Sequence, residues 1–210
     1  MKDIQKYIGQ LNEAQQLPVL QKDGPMIVIA GAGSGKTRVL TVRIANLMSQ
    51  GVDAFNILSL TFTNKAAREM KKRIADIVGN NEAKNLWMGT FHSVFAKILR
   101  SEAEKLGYPS NFTIYDSQDS LRCIGGIIKE MQLDKEIYKP KQILGRISSY
   151  KNSLITVKAY FNNPELQEAD AMSKKPRMGE IYNNYVERCF KSGAMDFDDL
   201  LLKTNELLNR

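Results

Sequence analysis

A single histidine and two cysteines leave this 210-residue sequence without the means to build a metal site of the usual His/Cys kind. Cys123 and Cys189 fit neither a C-x-x-C redox pair nor a zinc spacing, so they are expected to be reduced, structural thiols of a cytoplasmic protein. Long apolar runs are missing as well. The longest, Met26-Ile27-Val28-Ile29-Ala30, is far short of the roughly 20 residues that cross a bilayer, and no membrane span is expected. Residues 1–16, MKDIQKYIGQLNEAQQ, carry none of the apolar stretch of an export signal. Low-complexity tracts and internal repeats are absent. With 43% apolar and 25% charged residues, disordered and collagen-like classes are excluded. Negative charge is the scarcer sign: 30 Lys+Arg against 23 Asp+Glu give a net +7, which favours polyanionic partners without naming one.

The two halves differ. Residues 1–93 carry 12 basic and 7 acidic side chains and residues 94–210 carry 18 and 16, so most of the surplus sits in the first half. There, short apolar runs alternate with helical patterns. Met26–Ala30 predicts a strand buried on both faces, broken by Gly31–Gly35. Residues 37–50 then set Leu40, Ile44, Leu47 and Met48 along one helical face, with Gly51 as the stop. Ile57–Phe62 predicts a second strand, followed by a helix over 64–78 that buries Ala66, Met70, Ile74, Ile77 and Val78. Leu86–Phe91 predicts a third, followed by a helix over residues 92–106. Strand–helix units in series predict a parallel α/β sheet. After Gly107-Tyr108-Pro109 the strand signal fades. Helices are expected over 117–132, 140–150, 178–192 and 197–209, with Ser117 and Asp196 as N-caps. Residues 162–177 read as an exposed loop or linker.

The strongest chemical signal is Ala30-Gly31-Ala32-Gly33-Ser34-Gly35-Lys36-Thr37, between the first strand and the first helix. A triphosphate needs several backbone N–H groups converging on it, and only small residues allow that approach. The following helix points its positive end at the phosphates. In the G-x-x-x-x-G-K-[ST] pattern Lys36 reaches the β/γ-phosphates and the Thr37 hydroxyl ligates Mg²⁺; Ala30 replaces the first glycine with another small residue. The expected ligands are therefore a nucleotide's phosphates and Mg²⁺, held by Ala30, Gly31, Ala32, Gly33, Ser34, Gly35, Lys36 and Thr37.

Flanking residues narrow the choice among phosphate-loop proteins. Leu11-Asn12-Glu13-Ala14-Gln15 precedes the loop and Arg38 follows it. Thr61-Phe62-Thr63-Asn64-Lys65-Ala66-Ala67-Arg68-Glu69-Met70 ends the second strand, and Gly89-Thr90-Phe91-His92-Ser93 ends the third. In this order and spacing they resemble the Q motif and motifs I, Ia and Ib of the superfamily-one DNA helicases of the UvrD/Rep/PcrA type. The helical half, with Tyr150-Lys151-Asn152 and Asp196-Phe197-Asp198-Asp199-Leu200, is similar to that family's inserted domain 1B. The resemblance implies a P-loop, RecA-like sheet domain, 1A, over residues 1–93, incomplete at its C-terminus, and an all-helical 1B over 94–210. It implies that the nucleotide is ATP, that Gln15 reads adenine with its carboxamide and that Arg38 stacks on the base. It also places Phe62, Thr63, Asn64, Thr90, Phe91 and His92 on the DNA track, where rings stack on bases and strand ends grip phosphates. Phe91 reads equally well as the last buried residue of its strand. The bases Lys65, Arg68, Lys71, Lys72 and Arg73 read as a solvated helix face. Lys139, Lys141, Arg146, Lys151 and Lys158, interleaved with Tyr138, Tyr150 and Tyr160, read either as a DNA-facing surface or as core with a charged rim.

A motor also needs a carboxylate to orient water and an arginine on the transferring phosphoryl group. The acidic cluster Asp196–Asp199 follows Ser192-Gly193-Ala194-Met195, not an evident strand, and reads as a helix cap. The resemblance implies that the acidic motif II strand and a second RecA-like domain lie beyond Arg210, and that the sheet formed by residues 1–93 leaves an apolar edge or face uncovered. Two classes stay open. One is the N-terminal part of an ATP-driven 3′→5′ DNA helicase acting in replication or repair, on single strands and duplex junctions, with repair or replication proteins as further partners. The other is a non-catalytic nucleotide- and single-strand-binding module. A small-molecule kinase is disfavoured by the two strand-end motifs.

Overall fold

Leu58–Thr61 (β1) and Trp87–Thr90 (β2) run side by side as a parallel ladder, in register from Leu58 opposite Trp87 to Thr61 opposite Thr90. They belong to the first of two compact units into which the chain divides, residues up to Val94 and from Phe95 onward. The computed structural model describes residues 3–209. The first unit contains helices α1 (Ile4–Ile8), α2 (Glu13–Leu20), α3 (Lys36–Ser49), α4 (Asn64–Val78) and α5 (Asn80–Lys84). Thr63 caps α4 by accepting from the N–H of Ala66. The helix then buries Met70, and it packs Ile74, Ile77 and Val78 against Ile44, Ala45 and Met48 of α3. Burial of each such side chain contributes about 1.5–3 kcal/mol. Gly51, at φ +89°, ends α3: its N–H reaches Met48 and that of Val52 reaches Leu47, a turn that needs a left-handed residue.

Two expectations for this unit are corrected. Met26–Ala30 belongs to no helix or ladder among the described residues, and Ile27 and Ile29 are 89% and 94% exposed. β1 and β2 pair only with each other, so nothing described covers the run, and apolarity alone does not make a buried strand. Leu40 faces solvent, not the core. Because α2 packs along α3, the inward stripe of α3 is turned to include Val39 and Val42, which meet Ile8, Leu11 and Val19.

Helix α6 (Phe91–Glu102) leads into the second unit, which holds β3 (Thr113–Ile114), α7 (Ser117–Glu130), α8 (Pro140–Asn152), α9 (Val157–Phe161), α10 (Pro164–Met172), α11 (Met178–Lys191), β4 (Ala194–Met195) and α12 (Phe197–Leu208). It is not all-helical. β3 and β4 form a two-residue parallel ladder, with the Thr113 N–H donating to Gly193 and the Tyr115 N–H to Met195. This ladder brings together the chains that enter α7 and α12. The N-cap of α7 is Asp116, one residue before the expected Ser117. Its carboxylate accepts from the N–H groups of Gln118 and Asp119, while Asp119 reaches back to Asp116. Asp196 caps α12 through the same box with Asp199, as the sequence suggests. The expected linker at 162–177 is instead mostly α10, capped by Asn163 and opened by Pro164. It carries Asp170 into the interior, where Tyr150, Tyr160 and Arg146 all donate to its carboxylate. Tyr138, Tyr150 and Tyr160 are therefore core residues, packed with Ile143, Ile147, Ile181 and Tyr182.

Candidate nucleotide and nucleic-acid site

The glycine loop is shaped by its two left-handed residues. Gly33 and Gly35 have φ of +77° and +85°, and a Cβ at Gly35 would lie 2.9 Å from Nε2 of Gln15. Gly35 is also the N-cap of α3 and supplies no side-chain cap, so the first-turn N–H groups and the positive helix end face outward without a protein acceptor of that kind. Lys36 folds back over the loop. Its Nζ donates to the carbonyls of Ala30 at 2.8 Å and Gly31 at 2.6 Å. The Gly31 carbonyl also accepts from Oγ of Ser34 at 2.7 Å. An ammonium is thus held at the loop by neutral carbonyls, for which a phosphate oxygen is the stronger partner.

A cavity of about 510 Å³ opens beside this loop, at the carboxyl end of β1. Gly33, Lys36, Thr37 and Arg38 line one side; Thr61, Glu69 and Arg73 line the other. Glu69 and Arg73, one turn apart on α4, pair with each other. In the sequence only their spacing of four hints at the pair. Thr37 lies exposed on the wall. One hydroxyl there suits Mg²⁺, which takes few protein oxygens and completes its shell with phosphate oxygens and water. Among the described residues no group of three or more His, Cys, Asp or Glu could hold a metal by itself.

Gln15 and Arg38 are both near the loop but engaged within the protein. The Gln15 carboxamide donates to the Ser34 carbonyl at 3.0 Å and accepts from the N–H of Asn12, closing the capping box of α2. Arg38 donates to Oε1 of Gln10 at 2.8 Å, a neighbour that sequence reading did not single out.

The parallel register decides the second surface. With Thr61 opposite Thr90, the residues following each strand emerge side by side. Phe62 is 91% exposed, and its ring centroid lies 5.8 Å from that of Phe91, tilted by 44°. Burial as a strand end is thereby excluded for Phe62; Phe91 and His92 are half-buried at the start of α6. Thr63 and Thr90 spend their hydroxyls on helix starts, Thr90 accepting from the N–H of Ser93. Asn64 is exposed as the first residue of α4. All six residues expected on the DNA track thus lie at or just beyond one end of the β1–β2 ladder.

In the second unit, Lys151 is not part of a basic surface. Its side chain is fully buried, with Nζ 2.7 Å from Asp196, 2.8 Å from Asp199 and 5.0 Å from the centre of the Tyr185 ring. Tyr185 also donates to Asp196 at 2.9 Å, and Asn152 donates to Asp198 at 3.0 Å. Burial works against the charge on Lys151, but the two carboxylates outweigh it and raise the pKa of the ammonium. One buried cation cannot fully compensate two anions. Burial therefore pushes Asp199 up, while Asp196, though also buried, is held down by Lys151 and its hydrogen bonds. A short strand, β4, does precede these acids, contrary to expectation; what disqualifies them as water-orienting groups is their occupation by Lys151.

The profile of the UvrD/REP helicase N-terminal domain matches residues 11–210. The chain is 44% identical over 212 residues to the ATP-dependent DNA helicase PcrA of Bacillus subtilis (strain 168), an alignment covering 98% of this chain and 27% of that protein. It is 40% identical over 205 residues to the proteins of the same name from Staphylococcus epidermidis (strain ATCC 12228) and Staphylococcus aureus (strain NCTC 8325), covering 97% of this chain and 27% of each of those. The chain thus spans about a quarter of the length of the curated relatives it matches.

Proposed function

The chain belongs to the UvrD/REP helicase N-terminal domain family, and from that premise we propose that it supplies the ATP- and DNA-binding N-terminal portion of a 3′→5′ DNA helicase. The observation that carries this reading is the wall shared by Lys36 and Thr37, at the uncapped start of α3 and beside the carboxyl end of a parallel strand. In this reading residues 1–93 are the first part of a RecA-like domain 1A and residues 94–210 are domain 1B. The loop N–H groups cradle the phosphates, and Lys36 exchanges its two carbonyl partners for β/γ-phosphate oxygens. Thr37 holds Mg²⁺, which offsets phosphate charge. Arg38 stacks on the base, and Gln15 gives up its internal hydrogen bonds to read adenine. Phe62, supported by Phe91, stacks on unpaired bases, with Thr63, Asn64, Thr90 and His92 along the phosphates. A cytoplasmic role on single strands and duplex junctions, with repair or replication proteins as partners, follows from the same reading.

The test is binding by the purified chain. Lys36→Ala is expected to abolish measurable binding of a fluorescent ATP analogue with Mg²⁺, and Gln15→Ala to narrow the gap between ATP and GTP. Phe62→Ala is expected to weaken single-stranded DNA binding by about 1–3 kcal/mol, without altering its steep, sequence-independent loss with salt. Nucleotide affinity unchanged in Lys36→Ala would overturn the phosphate assignment. Unchanged DNA affinity in Phe62→Ala would remove the ring from the track.

A further inference from the structure

Helix α4 carries an exposed face that neither the core nor the nucleotide cavity uses. Its apolar stripe is buried, and Ala66, Glu69 and Arg73 turn toward the cavity. At about 3.6 residues per turn, Asn64, Arg68, Lys71 and Lys72 fall together on the opposite flank. Asn64, Arg68 and Lys72 are exposed and Lys71 is half-buried. Lys65, also exposed, borders this face in the first turn. Among the described residues no hydrogen bond or ion pair engages the side chains of Lys65, Arg68, Lys71 or Lys72, and even Asp76, one turn beyond Lys72, forms no ion pair with it. Only Arg73, on the cavity side, has an acid partner on this helix. Helix α11, of similar length, instead pairs Arg188 with Glu130 and Lys191 with Glu187. Bases three and four residues apart repel one another along a helix. With no acid in the first turn of α4, Lys65 adds to the positive helix end. The arrangement works against the helix by itself, and an external polyanion relieves it.

The place where this face begins identifies the polyanion. Phe62, 91% exposed, and Thr63 lead directly into Asn64, so a strand stacked on the Phe62 ring has its backbone at the start of α4. We propose that Arg68, Lys71 and Lys72 form a phosphate track that carries single-stranded DNA onward from Phe62 and Asn64 along α4, an inference that rests on the DNA-binding reading given above. From Asn64 to Lys72 the helix rises about 12 Å, the length of roughly three to four nucleotides of a stacked strand. Contacts of this kind hold every sequence alike and fix the path of the strand, which leaves base stacking to the aromatic ring. Glu69 and Arg73, on the other flank, keep the nucleotide cavity apart from this track.

The experiment is fluorescence anisotropy of the intact chain with a labelled oligothymidylate of about 16 nucleotides, titrated at several salt concentrations. Each phosphate contact to a single strand contributes about 0.7 to the slope of log affinity against log salt, so combining Arg68→Gln, Lys71→Gln and Lys72→Gln should reduce that slope by about 2. Glutamine forms helix as readily as the residues it replaces, so α4 is kept. Removing exposed charges elsewhere, by Lys129→Gln, Lys135→Gln and Lys174→Gln, should leave the slope at its wild-type value. Phe62→Ala removes a ring but no charge, and should weaken binding at an unchanged slope. A wild-type slope in the α4 variant, or an equal fall in the control variant, would overturn the proposal. The two readings fail separately. Weakened binding in Phe62→Ala beside a wild-type slope in the α4 variant removes the track alone, whereas a wild-type chain that binds no oligothymidylate even at low salt removes both.

Discussion

Replacing Lys151 with methionine is expected to destabilise the second unit by about 3–5 kcal/mol, because it strands Asp196 and Asp199 in the interior without their cation. Methionine keeps most of the volume, so the loss reports charge more than packing. Adding Asp196→Asn and Asp199→Asn should recover much of the stability, since the buried group is then neutral and asparagine still caps a helix. The single tryptophan, Trp87, is in the first unit, whereas seven of the eight tyrosines lie beyond Val94. Urea melts followed by tyrosine signal should shift, and those followed by tryptophan should not; equal shifts would show that the two units unfold as one. The pH dependence follows from the signs. The ammonium pKa is raised in the fold, so its contribution is fully present below the unfolded value of about 10.4 and is lost as pH rises through the folded one. The Asp196 pKa is lowered, so its contribution is present above about 3.9 and is lost as pH falls through its folded value. The cluster should therefore persist across the neutral range and fail at both extremes.

The second large effect is kinetic. Purified as it stands, the chain is expected to turn over ATP at least about a thousandfold more slowly than a motor, even with saturating single-stranded DNA. In the proposed reading its loop contributes bound phosphate, which is ground-state stabilisation; acceleration requires groups acting on the transition state. Among the described residues lining the cavity, the carboxylate is Glu69, neutralised by Arg73, and Arg73 is correspondingly committed. Asp196 and Asp199 are committed to Lys151. An arginine finger alone contributes ~10³–10⁵ in rate. Steady-state ATPase measured with and without DNA decides the matter. Stimulated turnover of several per second, abolished by Lys36→Ala, would point to Glu69 as a functional base.

What the sequence made legible was local. The break at Gly31–Gly35, the cap at Asp196, the helical stripe of α4 and the strands β1 and β2 all follow from patterns a few residues long. The losses are tertiary. Met26–Ala30 has the composition of a buried strand, but a strand is defined by its partner, and none of the described residues provides one. Residues 162–177 look like a linker because proline, asparagine and lysine punctuate them; Asn163 and Pro164 in fact open a helix, and Asp170 is tolerated inside only because three donors reach it. Lys151 looked like one more base in a basic stretch, since nothing local shows that Asp196 and Asp199 close over it. The six residues of the candidate DNA track were individually recognisable. Their adjacency was not, because it depends on a register that only the β1–β2 pairing sets.

The uncovered run at residues 26–29 has a practical consequence for anyone handling this chain. Ile27, Val28 and Ile29 are all exposed in one short stretch, so the segment offers neighbouring molecules a concentrated apolar contact. Its net charge of +7 keeps copies apart at low ionic strength, and added salt removes that protection. Colloidal behaviour is thus governed by opposing terms: ionic strength high enough to suppress nonspecific DNA carry-over is also the condition under which the exposed isoleucines drive self-association.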